Sequence, residues 1–472
     1  MKHVDRWAFL VAVFAVLALT VTPMIGCGDD DDDDDDDDDV ADDDDTGDDD
    51  TGDDDDTGDD DTTDDDTGDD DDDWVEITPG AQMIPVGTTC TFTAEGEVDG
   101  VAATSFTWSI DEDDVATVAD GVVTAVAAGQ ATLTVTAGEA SAQALIAVGP
   151  DVYSFDNLNG VATAINRGDE SAIADLAGGS IGTVLQSATV DTENGLLYYV
   201  DSADYAAGVT GNEKLIMVDL LDEYATTDIS LNQDSPWAAT VFFDAVWVTG
   251  NLDDTLAKVT VDGEKASVEY FDLDEGCAPT AVLGVGTSLY VACSGFDWGT
   301  MAYADGQVLV INPTTGTILS RIALPQVNPN GLAVAASADC SDLFVVCTGN
   351  YSDQTGKIVK ICTHENVVKS SFDLGVAPGP IGISAEGIAF VGEGMAGNVY
   401  VFDTADNSII HGDADPLTIP DAFWVQGLGV LPETGDAYVC DQGNGKVYVL
   451  AGDDYSDVFN VALPNPGGVA FW

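Results

Sequence analysis

The stretch from Pro329 to Ile361, PNGLAVAASADCSDLFVVCTGNYSDQTGKIVKI, decides the fold because its pattern recurs through most of the chain. It begins with Pro, any residue and the small residue Gly331, and continues with apolar residues. A second apolar run, Leu343–Val345, and a third, Ile358–Ile361, follow after segments rich in Gly, Asn and Asp. Short apolar runs separated by turn residues predict β-strands.

The small residue at the start of this pattern returns every 41 to 51 residues. Four short strands in each repeat of about 40–50 residues are typical of a β-propeller. A small side chain suits that position because the innermost strands of a propeller crowd around its axis. The recurring residues are Ala188, Ala238, Ala281, Gly331, Gly382, Gly427 and Gly468.

The last repeat starts at Gly468 and ends after one strand, so its other strands must come from elsewhere. Three short apolar runs at the beginning of the region, Val152–Phe155, Val161–Ile165 and Ser171–Ala174, can supply them. The sequence therefore predicts a seven-bladed propeller over residues 150–472, closed by both ends of the domain, which leaves no open edge in the ring. The repeats resemble YVTN/NHL-type propellers of bacterial secreted proteins. That resemblance implies a fold but names no reaction, since propellers host binding, scaffolding, lyase, lactonase and redox functions.

Residues 74–149 show a different pattern, with apolar and polar residues alternating in short runs between Gly and Asp turns. This period of two predicts a small all-β sandwich. The segment resembles a bacterial Ig-like domain of the second group. The resemblance is carried by Ile77–Pro79, Val86–Thr88, Trp108–Ser109, Val115–Val118 and Asp120–Gly129. It implies a spacer or adhesive module without catalysis.

Residues 27–73 are dominated by aspartate, which fills 33 of the 45 positions from Asp29 to Asp73. Such a segment lacks the apolar surface needed to offset the entropy of ordering, so we expect a disordered, self-repelling tether. Calcium binding is the alternative, although the spacing and terminal Glu of a calcium loop are absent.

Residues 1–26 have the pattern of a secretory signal, with Lys2 and Arg6 ahead of the apolar run Trp7–Val21. The following tetrapeptide, Met24–Cys27, resembles a bacterial lipobox, with Met24 in place of the usual Leu. The resemblance implies cleavage before Cys27 and lipidation of that residue; an uncleaved membrane helix is the alternative. Gly28 follows Cys27, which by the family's sorting rules favours the outer membrane, with surface display or a periplasmic orientation both open.

Charge narrows the choice of partners. Of the 88 acidic residues, 34 precede Trp74, which leaves 54 beyond it against nine Lys and Arg. Nucleic acids are therefore excluded as expected partners, because phosphate binding needs clustered Lys and Arg. A protein, peptide or glycan ligand remains, together with the membrane through the lipid anchor.

Aromatic residues mark a candidate binding face. In a propeller the loops from second to third strands and from fourth to first strands share one face, and three of the former are long here. Aromatic rings beside acidic groups suit glycan, peptide or cationic ligands, while packing of the loops is the alternative. The candidate ligand-binding residues are Trp237, Phe296, Trp298, Tyr303, Tyr351 and Trp424.

A second candidate function is a calcium-dependent hydrolase or lactonase, which some propellers of this type perform with acidic and Asn residues in the channel. Residues near the ends of predicted second strands would supply the ligands, with turn formation as the alternative. No other cofactor is expected. The candidates are Asn251, Asn350, Glu393, Asp441 and Asn444.

Cysteines allow two disulfides, because the predicted compartment is oxidising. Cys277 precedes a first strand and Cys293 ends the antiparallel second strand, so these two should meet. Cys340 and Cys362 form the other candidate pair. The predicted function is a non-catalytic envelope lipoprotein that presents a propeller for binding.

Overall fold

The computed structural model describes residues 73–472, except 168–169, 204–210, 223, 264, 336–340, 352–355 and 433. The signal pattern, Cys27 and all but the last residue of the Asp-rich run lie outside the described residues. Every regular element in the described part is a β-strand. No described segment forms a helix of the length and apolarity needed to cross a membrane.

Residues 74–149 fold into three small sheets, ordered β1-β4-β5, β2-β10-β9-β6 and β3-β8-β7. Their strands are β1 (Trp74–Thr78), β2 (Ala81–Pro85), β3 (Thr89–Thr91), β4 (Thr93–Val98), β5 (Val101–Ala102), β6 (Thr107–Ile110), β7 (Ala116–Ala119), β8 (Val122–Ala125), β9 (Gly129–Ala137) and β10 (Ala140–Gly149). Alternate residues of β9, including Leu133 and Val135, are fully buried against Phe92 and Ile146. This alternation buries one face of each strand, as the period of two predicts.

The first domain joins the propeller directly. β10 ends at Gly149 and the next strand begins at Val152. Met83 and Ala147 of the first domain are buried in the same apolar cluster as Tyr153 of the second. The side-chain amide of Gln130 also donates a hydrogen bond to the carbonyl of Leu221, at 2.6 Å.

Among the described residues of 150–472 there are seven larger antiparallel sheets, six with four strands and one with five, named sheets I to VII here. Sheet I contains β14 (Leu185–Asp191), β15 (Leu196–Asp201), β16 (Lys214–Asp219) and β17 (Ala225–Ser230). Sheet II contains β18 (Pro236–Val241), β19 (Val246–Gly250), β20 (Thr255–Asp262) and β21 (Lys265–Asp272). Sheet III contains β22 (Pro279–Val285), β23 (Ser288–Cys293), β26 (Gln307–Ile311) and β27 (Ile318–Ala323), with a separate hairpin of β24 (Phe296–Asp297) and β25 (Ala302–Tyr303) between its second and third strands.

The remaining sheets repeat the same order. Sheet IV contains β28 (Pro329–Ala335), β29 (Asp342–Cys347), β30 (Lys357–Cys362) and β31 (Val367–Asp373). Sheet V contains β32 (Pro378–Ile383), β33 (Ile388–Glu393), β34 (Asn398–Asp403) and β35 (Ile409–His411), and the short β36 (Leu417–Thr418) also pairs with β34. Sheet VI contains β37 (Val425–Val430), β38 (Ala437–Asp441), β39 (Lys446–Leu450) and β40 (Asp457–Ala462).

Sheet VII is built from both ends of the region. Its strands are β41 (Pro466–Phe471), β11 (Val152–Asp156), β12 (Val161–Asn166) and β13 (Ser171–Ala174). β41 pairs antiparallel with β11, so residues more than 300 positions apart complete one sheet. The ring of sheets is thereby closed by strand pairing, which leaves no unpaired edge between the first and last repeats.

The first strand of each sheet lies innermost, and these strands contact one another in a closed cycle, β14-β18-β22-β28-β32-β37-β41-β14. All seven small residues of the sequence repeat lie on these strands. A Cβ atom placed on Gly427 would lie 2.5 Å from the Cα of Gly468 on the adjacent inner strand. The repeated small residue is therefore explained by backbone crowding. The predicted all-β architecture, an Ig-like sandwich followed by propeller sheets, is confirmed.

Candidate functional site

One backbone hydrogen bond recurs in all seven sheets at the face where second strands end. The residue after each second strand donates its N–H to the carbonyl of the residue before that sheet's inner strand. We call this junction the entry corner of a sheet. The donor–acceptor pairs, at 2.9–3.2 Å, are Ser202–Val184, Asn251–Ser235, Ser294–Ala278, Thr348–Asn328, Gly394–Ala377, Gln442–Trp424 and Asn157–Asn465.

Carboxylates complete four of these entry corners. In sheet I, Asp201 accepts hydrogen bonds from the backbone N–H groups of Thr183 and Val184, at 2.9 and 3.0 Å. In sheet VI, the fully buried Asp441 accepts from the N–H groups ahead of β37 and from Gly443. In sheet VII, Asp156 accepts from the side-chain amide of Asn465 at 3.1 Å and from the backbone N–H groups of Leu158 and Asn159.

Sheet II reaches the same result with a different residue. Its second strand ends in Gly250, and Asp253 Oδ1 lies only 2.2 Å from where a Cβ on that glycine would sit. The other oxygen of Asp253 accepts the backbone N–H of Asp234 at 3.0 Å. Burial raises the pKa of Asp253. In sheet II the carboxylate therefore comes from a residue three positions beyond the end of the second strand, but it bonds to the backbone ahead of the inner strand as in sheets I and VI.

Two other sheets close the entry corner without a carboxylate–backbone bond. In sheet III, Cys277 and Cys293 are joined by a disulfide with a Cα–Cα distance of 4.6 Å. In sheet V, the phenol of Tyr400 accepts the backbone N–H of Val376 at 3.3 Å. The neighbouring Glu393 accepts from Asn398 Nδ2 at 2.7 Å, and burial raises its pKa.

The five candidate metal ligands are distributed over four of these sheets. Asn251 donates its amide to the carbonyl of Pro279 in the next sheet, at 3.0 Å. Asn444 donates to Asp441 at 2.7 Å and also to the carbonyl of Asp421. Asn350 is exposed beyond the end of β29. Asp441 and Glu393 act within their own entry corners.

These side chains belong to four different sheets, and a shared calcium site among them stays a prediction. Calcium takes six to eight oxygen ligands, whereas Asp441 and Glu393 already accept hydrogen bonds within separate sheets. Among the described residues, no three His, Cys, Asp or Glu side chains come close enough together to hold a metal ion. The arrangement supports a structural role for these side chains.

The corner role of Asp156, Asp201 and Asp253 was missed by the sequence reasoning. The available signal was their recurrence, since Asp156 and Asp201 are each the last residue of a second strand and Asp253 lies three residues beyond one. Acidic residues recur near the ends of second strands in several sheets. The backbone N–H groups beside them explain this recurrence better than a bound ligand does.

The other cysteines have different surroundings. Cys362 is buried, while its predicted partner Cys340 lies outside the described residues, so that bridge stays a prediction. Burial raises the pKa of the Cys347 and Cys440 thiols to about 12. Such thiols stay protonated at neutral pH, which argues against reactivity.

The hairpin of β24 and β25 brings three of the predicted aromatic residues together. Phe296 and Tyr303 pair across it, with ring centroids 4.8 Å apart. Trp298 packs edge-on against Phe296 at 5.0 Å and is 46% exposed. We call these three residues the aromatic hairpin. Aromatic contacts at such distances stabilise the cluster, but the outer ring still faces solvent.

Tyr351, on the corresponding loop of sheet IV, lies close enough to Tyr303 to act on its ionisation. Burial, with a contribution from Tyr351, raises the pKa of Tyr303 well above its usual value. Both phenols are therefore neutral hydrogen-bonding groups at physiological pH. Beside Trp298, Asp297 accepts hydrogen bonds from Thr300 and Gly299, which lower the pKa of Asp297.

Trp237 and Trp424 lie on the same face but in sheets II and VI. Trp237 is the second residue of inner strand β18, and Trp424 immediately precedes β37. The indole N–H of Trp424 donates to Gln426 at 2.9 Å. In the described part of the chain neither ring makes a ring–ring contact with the aromatic hairpin, so the six predicted aromatics do not form one cluster.

The positive charges of the described residues are mostly neutralised. Six of them lie in ion pairs, and Lys258 and Lys446 lie over the rings of Trp247 and Tyr448. The paired residues are Arg167, Lys214, Arg321, Lys357, Lys360 and Lys369. A phosphate-rich ligand would meet few free cations on this surface, in keeping with the charge balance of the sequence.

Comparison with known proteins supports the assignment of the first domain. Residues 73–148 match the bacterial Ig-like domain of group 2. No curated protein sequence matches the chain.

The chain is similar in structure to several solved proteins of low sequence identity. A periplasmic gluconolactonase of Pseudomonas aeruginosa is 14% identical, with a TM-score of 0.52, and the match covers 68% of this chain and 98% of that one. A quinoprotein alcohol dehydrogenase-like protein of Bacteroides thetaiotaomicron is 12% identical with a TM-score of 0.49, covering 84% and 99%. The β-propeller domain of Cps50 (Swd1) from Myceliophthora thermophila is 12% identical with a TM-score of 0.49, covering 67% and 98%. At these identities the likeness concerns the fold alone.

Proposed function

We propose that this protein is a non-catalytic lipoprotein of the cell envelope that captures a ligand on the propeller face bearing the aromatic hairpin. The observation that carries the proposal is the position of Trp298. Its ring is half-exposed on a hairpin that is not part of any propeller sheet, and it is supported from behind by Phe296. The four strands of sheet III pair with one another without this hairpin.

The chemistry of the hairpin favours ligands with an apolar or cationic surface, such as a glycan or a peptide. The indole offers an aromatic face, and the carboxylate of Asp297 keeps the vicinity negative. Aromatic faces attract cations and stack on the apolar faces of sugars. The neutral hydroxyl of Tyr303 adds one hydrogen-bonding group at the base of the hairpin.

Glycan and peptide arrays probed with the purified protein test this proposal. Wild-type protein should retain a defined set of ligands, and Trp298→Ala should lose them. Phe243→Ala is the matched control, because Phe243 is 62% exposed on the turn between the first and second strands of sheet II, at the opposite face. Equal capture by wild type and Trp298→Ala would contradict the role of the hairpin.

The anchor is proposed from the N-terminal sequence. Lipidation of Cys27 would fix the chain to the outer membrane, and the Asp-rich segment would hold the folded domains away from it through charge repulsion. Metabolic labelling with a fatty acid should mark the wild type but not Cys27→Ser. Labelling of both proteins, or of neither, would contradict lipidation at Cys27.

The seven sheets are interpreted as seven blades of a YVTN/NHL-type propeller. The closed cycle of inner strands and the recurring small residues support this interpretation. The hydrolase alternative depends on calcium, and a melt after calcium depletion tests it. A large fall in the melting temperature of the propeller would favour a channel metal over the binding proposal.

A further inference from the structure

A cleft beside sheet I contains a buried carboxylate that is only half satisfied. The cleft has a volume of about 450 Å³ and is lined mainly by polar groups, among them Asp201, Glu213, Lys214 and Asp228. It opens at the end of the sheet where the second strand finishes and the third begins. It is separate from the aromatic hairpin, which lies in the connection between the second and third strands of sheet III.

Glu213 is held firmly in this cleft. Its backbone carbonyl accepts the N–H of Leu231 at 2.9 Å, and one side-chain oxygen accepts the N–H of Gly211 at 2.7 Å. The residue is only 4% exposed. The other oxygen, Oε1, is buried and has no hydrogen-bond partner.

The remaining charges of the cleft are already engaged. Both oxygens of Asp201 accept backbone N–H groups ahead of β14. The ammonium of Lys214 donates to Asp228, at 2.8 Å, and to the carbonyl of Ile181, at 2.9 Å. Three carboxylates against one ammonium leave the cleft negative, and among the described residues Glu213 Oε1 is a buried acceptor of this cleft without a hydrogen-bond partner.

We propose that this cleft binds a small organic cation that carries N–H donors, a primary ammonium or a guanidinium group, through Glu213. A buried carboxylate without a full set of partners is costly, and a charge-assisted hydrogen bond from such a ligand offsets that cost. A divalent metal fits less well, because it needs several oxygen ligands and the ammonium of Lys214 lies in the same cleft. The cleft has more than enough room for a ligand of a few carbon atoms.

Isothermal titration calorimetry of the folded protein with agmatine and 1,4-diaminobutane tests the proposal. The titration is run in 0.15 M salt, as an experimental choice, to screen general attraction to the acidic surface. Tetramethylammonium, which has no N–H donor, should not bind. Glu213→Gln, which keeps the shape and removes the charge, should weaken agmatine about tenfold or more.

Glu193→Gln is the matched control, because Glu193 is exposed on the turn between β14 and β15 and does not line the cleft. It should bind agmatine as the wild type does. Glu213→Asp, which withdraws the carboxylate by one methylene, should give an intermediate affinity and provides a second variant if Glu213→Gln folds poorly. No binding by the wild type, equal binding by Glu213→Gln, or Glu213-dependent binding of calcium in preference to agmatine would each overturn the proposal.

Discussion

The entry corners of sheets VI and III occupy the same place in the fold but use different chemistry. In sheet VI the second strand ends in Asp441, whose buried carboxylate accepts four N–H groups from the backbone and from Asn444. In sheet III the same position is Cys293, which is bonded to Cys277, and the loop that follows extends into the aromatic hairpin. In sheet VI the end of the second strand is bonded only within the fold. In sheet III the end of the second strand is also bonded within the fold, but the chain then continues into an exposed hairpin.

The difference shows which residues on this face are available for function. Six of the seven entry corners contain a bonded carboxylate, a disulfide or a phenol, and in sheet IV the side-chain amide of Asn328 donates to the carbonyl of Gly349 at 3.1 Å. The polar side chains at these corners therefore already form hydrogen bonds within the protein. Trp298, which is half-exposed, and Glu213 Oε1, which is buried without a hydrogen-bond partner, are not used in this closure.

The largest expected effect is the loss of the sealed carboxylate in sheet VI. Asp441→Ala leaves several buried N–H groups without an acceptor, so we expect the free energy of unfolding to fall by about 3–5 kcal/mol. Urea denaturation followed by fluorescence measures this change. Asp453→Ala, an exposed position in the same sheet, is the control and should be close to neutral. A loss below about 1 kcal/mol for Asp441→Ala would show that the corner does not depend on the carboxylate.

The disulfide in sheet III should contribute somewhat less. The two cysteines are separated by 16 residues, and closing a loop of about 15 residues stabilises a protein by about 3 kcal/mol. The double variant Cys277→Ser/Cys293→Ser should lose about that much in the same denaturation experiment. Reductant should destabilise the wild type more than the variant, which keeps the predicted Cys340–Cys362 pair; an equal response of the two proteins would contradict this role.

The fold was predictable from the sequence because the recurring small residue is required by the backbone of every inner strand. Crowding of the inner strands demands a small residue, and that demand returns at Gly331, Gly382 and Gly427. The residues that bond at the entry corners were not predictable. In sheet II, for example, the backbone path after Gly250 brings the carboxylate of Asp253 to the place that a side chain at position 250 would occupy. A sequence shows that an acidic residue is near a strand end, but not which N–H groups surround it.

The candidate site was predictable in part. Phe296, Trp298 and Tyr303 are close in sequence, and a hairpin brings them together. Trp237 and Trp424 could be assigned to the same face, but their separation into sheets II and VI depends on the order of sheets around the ring. The cleft at Glu213 gave no sequence signal, because a single Glu before a strand resembles any other.

A smaller effect is expected from Glu393, a corner residue that carries a cost. Because burial raises its pKa above the ordinary value of 4.5, the folded protein holds this proton more tightly than the unfolded chain does. Its contribution to the free energy of unfolding therefore falls as the pH rises from about 4.5 through the raised pKa. Glu393→Gln should be more stable than the wild type at pH 7 by about 1 kcal/mol or less, and this gain should shrink below pH 4. Melting curves across this pH range measure the difference, and a gain independent of pH would contradict the explanation.

The smallest effect on stability should come from the hairpin that extends outward. Trp298 is half-exposed and contacts Phe296 by one edge, so Trp298→Ala should change the free energy of unfolding by about 0.5 kcal/mol or less. Phe296→Ala should cost more, because Phe296 packs against both Trp298 and Tyr303. Urea denaturation of the two variants, beside the capture assay, separates packing from binding. If Trp298→Ala destabilised the protein as strongly as Phe296→Ala, the indole would serve stability. The aromatic hairpin would then not differ in role from the entry corner of sheet VI.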